Sequence, residues 1–347
     1  MTLAVAAALL AAGSAAAAIH VPRGFRASVA ATGLTHPTAM AFGPDGRLYV
    51  TEDVGAVAAV DLRTRRVRPF LRGLPVPLGL AWRGRTLFVS VSGGIRSVRL
   101  DHGAATARRT VVSHLPYRLH QQDNVVVGRD GRLYLGSGST CDVCRERDPR
   151  SAAILSLRLD GSDVRAVAAG LRNPYGLAVE PRTGRLFVSV NGQDKLGDSE
   201  PAESVVVLRP GANYGWPRCW PSRRLLRLVG SCRGVTPPVA YLEPHSSADG
   251  IAFWRGDLYV AEWGEYDSTR HGRKLVRIPL DRRGLPRARV ASTFATGFHH
   301  PLALAVDPGG GLLVADWGRG TIVRIAARMR RLRASGALRE ATRLLSL

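Results

Sequence analysis

Several polar side chains in this sequence have the reach and chemistry to move protons and hold charge, and each stands at the head of a short apolar run. His120 opens "HQQDNVVV", Arg172-Asn173 opens "RNPYGLAV", His245 opens "HSSADGIAF", and His299-His300 precede "PLALAV". A neutral histidine accepts a proton near pH 7, an arginine polarises a carbonyl or holds a carboxylate, and an asparagine offers both a donor and an acceptor. His120 with Arg172 and Asn173 is therefore a set able to take a proton from an alcohol while negative charge builds on an acceptor. Taken singly, each residue could equally cap a neighbouring loop. The chemistry depends on whether the chain brings them together.

Self-comparison supplies the elements that would do so. One phrase returns six times: from Thr35 "THPTAMAFGPDGRLYVTEDVGAVAAVDL", from Val76 "VPLGLAWRGRTLFVSVSGGIRSVRLD", and from His120 "HQQDNVVVGRDGRLYLGSGS" closed by "AAILSLRLDG". It continues as "LRNPYGLAVEPRTGRLFVSVNGQD" with "ESVVVLRPG", "HSSADGIAFWRGDLYVAEWGE" with "KLVRIPLD", and "HHPLALAVDPGGGLLVADWGRGTIVRIA". Each copy holds an apolar strand, a turn built on Asp-Gly, Arg-Gly or Thr-Gly, and a second strand alternating large apolar with small residues. A third strand closes each copy. Units of this kind at a spacing of roughly 40 to 75 residues predict propeller blades. The expected fold is all-β: a six-bladed β-propeller over 19–327 with four-stranded antiparallel blades.

Fourth strands are expected from variable stretches such as "RRTVVSHLPY" and "RARVASTFATGF". The first blade is expected to borrow a strand from the other terminus, with "FRASVAATG" a candidate to complete the ring. Four longer insertions, "TCDVCRERDPRS", "NGQDKLGDSEPA", "NYGWPRCWPSRRLLRLVGSCRGVTPP" and "WGEYDSTRHGR", fall where one face of the ring should be. Loops on a rigid scaffold commonly carry function.

Composition bounds the setting. Residues 1–18, "MTLAVAAALLAAGSAAAA", form an apolar run ending in Ala-x-Ala choices, the pattern of a secretory signal peptide without its usual basic start. That predicts a secreted or extracytoplasmic protein, in which four cysteines favour disulfides, with local pairs Cys141–Cys144 and Cys219–Cys232 expected. A zinc site would need two close-set ligand pairs, and the second pair is too widely spaced. The formal charge of +22 would ordinarily suggest an anionic partner. Here nearly every cation is arginine, Lys195 and Lys274 being the only lysines, and the arginines are dispersed, which argues against nucleic acid. The exception is the basic stretch 328–347, whose apolar spacing permits a short helical tail able to make weak contact with an envelope surface.

The ordered series "HQQDNVVVGRDGRLYLGSGSTCDVC", "GLRNPYGLAVEPRTGRLFVSVNGQDKLGD", "NYGWPRC" and "HSSADG" resembles the glucose/sorbosone dehydrogenase family of soluble quinoproteins, closest to its sorbosone-dehydrogenase-like branch. The resemblance implies a six-bladed propeller holding pyrroloquinoline quinone and calcium at the channel mouth, and oxidation of a small sugar or sugar-like alcohol or aldehyde. It implies that His120 is the general base. Arg172 would polarise the quinone carbonyl, with Asn173 hydrogen-bonding the cofactor beside it. Tyr214, Trp216 and His245 would line the cofactor, and Arg270, Arg273, Lys274 and His300 are the candidates to face its carboxylates, His300 standing where the family places an arginine. The loop "GQDKLGDSE" would hold calcium through Gly197 and Asp198, although an acidic loop is also an ordinary solvated turn. No Cys-x-x-Cys-His haem attachment occurs, Cys144 being followed by Arg145, so electrons would pass to a separate acceptor.

Two other functions fit a six-bladed ring. A calcium-dependent lactonase-like hydrolase would need axis-facing carboxylates, for which Glu52, Glu262 and Asp316 are the candidates. A non-catalytic envelope propeller would bind carbohydrate or protein at the same mouth.

Overall fold

The computed structural model describes residues 18–328. All but the last residue of the expected leader and all but the first residue of the basic tail lie outside the described residues. All regular structure among the described residues is strand, and none of it is a helix long and apolar enough to cross a membrane.

The repeated phrase folds as a blade each time. Blade one comprises Pro37–Phe42, Leu48–Glu52, Ala56–Asp61 and Arg66–Arg72, and blade two Gly79–Arg83, Thr86–Val91, Gly94–Asp101 and Ala104–Val112. Blade three comprises Gln122–Val127, Leu133–Ser137, Ala153–Leu157 and Arg165–Ala169, with the two-residue Ala212–Asn213 added in parallel at its outer edge, one strand more than expected. In blade four, Asn173–Val179, Leu186–Asn191 and Ala202–Val207 are followed by the distant Ala240–Pro244. Blade five is Ala248–Trp254, Asp257–Glu262, Lys274–Ile278 and Ser292–Ala295. Blade six is Pro301–Val306, Leu312–Asp316 and Thr321–Ala327, completed by Phe25–Ala31.

That last pairing corrects one expectation. Phe25–Ala31 does close the ring, but as the outer strand of blade six, antiparallel to Thr321–Ala327. Blade one is built from consecutive sequence alone. The reason is packing: the Phe25 ring lies 5.4 Å from both Trp254 and Phe294, inside the apolar cluster shared by blades five and six.

Local chemistry explains the turns. In "GPDGRLY" and "GRDGRLY" the aspartate Oδ1 accepts the amide N–H two residues on (Arg47 and Arg132), and its Oδ2 accepts the tyrosine hydroxyl of Tyr49 or Tyr134, each at 2.9 Å. Gly46 and Gly131 both sit at φ 77°, a conformation that costs glycine little. Alternating apolar residues then bury between neighbouring blades. Six main clusters result, one at each blade–blade boundary, including Leu80 with Tyr49 between blades one and two and Val188 with Ile154 between blades three and four.

Near the axis the inner strands crowd. A Cβ on Gly176 of blade four would lie 2.2 Å from the Asp249 carbonyl of blade five, and one on Gly250 would lie 2.3 Å from the Leu302 carbonyl of blade six. The starts of these strands are therefore held close together at one mouth of the channel. Two disulfides, Cys141–Cys144 and Cys219–Cys232, brace the loops there, in the local pairing expected.

Candidate active site

His120 lies two residues before the inner strand of blade three. Its ring Nδ1 lies 3.0 Å from Ser139 Oγ, and the Ser139 hydroxyl donates to the Cys141 carbonyl at 2.7 Å. With its own hydrogen committed, the Ser139 oxygen can only accept, so His120 carries its proton on Nδ1. Nε2 is left as the lone-pair nitrogen. Desolvation, reinforced by the nearby Arg172 charge, lowers the His120 pKa to about 4, so the imidazole is neutral at pH 7.

Arg172 is buried at the start of blade four, and a guanidinium there requires anionic partners. It has two. Nε donates to Asp142 Oδ1 at 3.0 Å and Nη2 to Asp194 Oδ2 at 2.7 Å. Asp142 lies within the Cys141–Cys144 loop and also accepts the Asp194 amide at 3.0 Å, while its carbonyl accepts Trp216 Nε1. Three insertions are thus drawn onto one arginine. Asn173 is buried beside it with Oδ1 unpartnered. Glu203, on the third strand of blade four, accepts the Gly192 amide; burial pushes its carboxyl up to about 8.

These groups line a cleft of about 620 Å³ formed by His120, Arg172, Asn173 and Asp194 with the Gly197-Asp198 turn, Glu203, His245 and the aromatic pair Trp263 and Tyr266. His245 Nε2 donates to the Gly197 carbonyl at 2.9 Å, and Asp198 pairs with Arg270 at 3.0 Å, both largely exposed at the rim. The cleft can do general-base chemistry at His120 beside a permanent cation, with an oxygen-rich turn opposite. A buried oxygen of its lining without a partner, Asn173 Oδ1, suits a bound group that brings a donor or a cation.

Four residues expected to touch a cofactor lie elsewhere. Tyr214 packs in the cluster between blades three and four, its hydroxyl donating to the Val207 carbonyl at 2.6 Å. Trp216 is turned behind the Cys141–Cys144 loop by its bond to Asp142. Lys274 is neutralised by Glu243 and by Glu262 at 3.4 Å. His300 is buried with its ring stacked on Trp263 at 4.0 Å, and Nδ1 donates to the Trp263 carbonyl; desolvation lowers its pKa, so it brings no charge. The carboxylates proposed for an axial hydrolase metal are also committed. Glu52 accepts the Thr35 amide, Glu262 faces Lys274, and Asp316 accepts the amides of His299 and His300 at 2.8 and 2.9 Å. Sequence reading missed Ser139, Asp142, Asp194 and Glu203, although a buried arginine between two acid-bearing loops was a usable signal for the middle two.

The ring, its braced mouth and this cleft define a six-bladed propeller with a site at one end of its channel. The sequence matches the glucose/sorbosone dehydrogenase family over residues 94–282, more than half of its length, and the chain belongs to that family. The pyrroloquinoline quinone domain of pyranose dehydrogenase from Coprinopsis cinerea shares the fold with a TM-score of 0.80 at 21% identity, over 90% of this chain and 97% of that one. Aldose sugar dehydrogenase from Streptomyces coelicolor, solved with its quinone bound, superposes with a TM-score of 0.70 at 24% identity, over 88% and 100% of the two chains. An uncharacterized protein of Borreliella burgdorferi is 23% identical over 310 residues, 81% of each chain.

Proposed function

We propose that this protein is an extracytoplasmic quinoprotein dehydrogenase that oxidises a sugar or sugar-like alcohol or aldehyde with pyrroloquinoline quinone and calcium. The observation that carries the reading is the tautomer of His120, which leaves Nε2 free as a base in the same cleft as Arg172 and Asn173. When bound, the quinone supplies the carbonyl-bearing ring that takes a hydride from the alcohol carbon. His120 Nε2 takes the hydroxyl proton, so the substrate loses a proton and a hydride and leaves as the carbonyl product. Arg172 keeps a fixed positive charge on the floor of the cleft, and the Asp142 and Asp194 carboxylates hold its orientation. Trp263 and Tyr266 supply an apolar wall.

The residues present fit the group at its electron-accepting end. Against the three carboxylates of the quinone, the arginines at the cleft already hold carboxylates, Arg172 those of Asp142 and Asp194 and Arg270 that of Asp198, which makes calcium an essential part of the fit. Asp198, the Gly197 carbonyl and Asp194 are oxygen donors for it; a carbonyl has two lone pairs, so Gly197 can keep its bond to His245. The two disulfides support a location outside the cytoplasm. The sparse cations favour one second reading, a carbohydrate-binding propeller without redox chemistry. Calorimetric titration of the purified chain with pyrroloquinoline quinone, with and without calcium, separates them. Calcium-dependent binding followed by dye-linked oxidation of a sugar or alcohol is expected, and absence of quinone binding at saturating calcium would leave the binder.

A further inference from the structure

Below the cleft, a second cavity of about 220 Å³ runs onto the channel axis. Residues at the starts of the inner strands line it, namely Thr38, Leu78, Tyr175, Asp249 and Leu302, and Asp123 is the second residue of the inner strand of blade three, as Thr38, Asp249 and Leu302 are of theirs. Thr38, Leu78, Tyr175 and Leu302 suit a plugged channel. Asp123 does not, for it is 2% exposed and its Oδ2 has no hydrogen-bond partner. A second carboxylate, Asp249, is 3% exposed; the Asn191 carboxamide turns toward it, Nδ2 donating to Asp249 Oδ1 at 3.0 Å. That bond leaves Asn191 Oδ1, also buried, without a partner.

An unpaired buried carboxylate is among the costlier features a fold can carry. The orphaned atoms here are all oxygen acceptors. A proton shared by the two carboxylates would satisfy one oxygen and leave the carboxamide oxygen bare, whereas a hard cation satisfies carboxylate and amide oxygens together. We propose that Asp123 and Asp249, with the Asn191 carboxamide oxygen, form the protein's half of an axial site for a divalent cation of the calcium class, separate from the turn at Gly197-Asp198. Burial, and the Asp249 charge acting on Asp123, push both carboxyls upward, and no side-chain cation acts on either. The cation would tie blades three, four and five together under His120 and Arg172. None of this depends on the quinone.

The test uses the full chain, stripped of metal, without quinone, titrated with calcium chloride by calorimetry and followed by thermal unfolding. Asp198→Ala removes the rim carboxylate and should retain one calcium site, whose filling at a hundredfold excess over Kd raises Tm by roughly 4 °C. Adding Asp123→Asn to that variant should abolish both the heat and the shift. In calcium-free buffer Asp123→Asn should melt no lower than the unmodified chain, since an unpaired carboxylate has been neutralised, and this shows that the variant folds. Equal calcium binding with and without Asp123→Asn would overturn the proposal, as would an Asp198→Ala protein whose Tm does not respond to calcium.

Discussion

Replacing Glu203 by glutamine should make the pH dependence of stability measurably flatter. Glu203 is buried at 5% exposure and its carboxyl is raised from 4.5 to about 8, chiefly by desolvation. The folded state therefore holds a proton that the unfolded chain releases above pH 4.5. Where the native state binds more protons, stability falls as pH rises, so the loss sets in above pH 4.5 and levels off above pH 8. With about 1.4 kcal/mol per pH unit across that window, the unmodified protein should lose about 4 kcal/mol between pH 5 and pH 9 through this group. Glutamine keeps an oxygen for the Gly192 amide and has nothing to ionise. The assay is urea unfolding at intervals from pH 5 to pH 9 in chelator, comparing the two proteins so that the other titrating groups cancel. The stability gap should widen steadily in favour of the variant. Parallel curves would show that Glu203 is hydrated in solution and that the floor of the cleft is wetter than its geometry implies.

Other perturbations bear on the same site. His120→Ala should leave quinone binding in place and remove turnover, and for the unmodified enzyme kcat/KM should hold steady through neutral pH and fall only as pH drops toward about 4, where Nε2 gains its proton; an acid limb centred near 6.5 would contradict the desolvated environment. Asp142→Ala leaves Arg172 with the largely exposed Asp194 as its remaining carboxylate and removes the acceptor of Arg172 Nε and of the Asp194 amide, which should cost roughly 1–3 kcal/mol in unfolding experiments and lower kcat more than it raises KM. Phe25→Ala empties a site among Trp254 and Phe294 and should destabilise by about 3 kcal/mol, with early exchange of the amides in Phe25–Ala31 and Thr321–Ala327 if that strand is the latch of the ring.

Much of the architecture was legible from short-range rules. The phrase from "PTAMAF" to "GRLYV" carries its own turn chemistry, the Asp45 bonds to Arg47 and Tyr49, and its own alternation; six copies in a row can bury those strands only against one another. Because the first residues of inner strands meet at the mouth of any such ring, His120 and Arg172-Asn173 could be grouped before a structure was seen. The close spacing of Cys141 and Cys144 made their pairing local for the same reason.

Side-chain partnership was not legible, because it depends on how far loops fold inward across blades. Arg172 meets carboxylates 30 positions before it and 22 after it, on loops of different blades. Lys274 looked free in sequence and is held by Glu243, while His300 looked like a cation and lies neutral against Trp263. The sequence by itself determined six blades, the mouth they share and which strands carry the polar residues, since those follow from period and turn type. Only the tertiary structure decided which charges reach the cleft, which nitrogen of His120 is free and which two inner-strand aspartates are buried, since burial and the competition for hydrogen-bond partners exist only once the ring has closed.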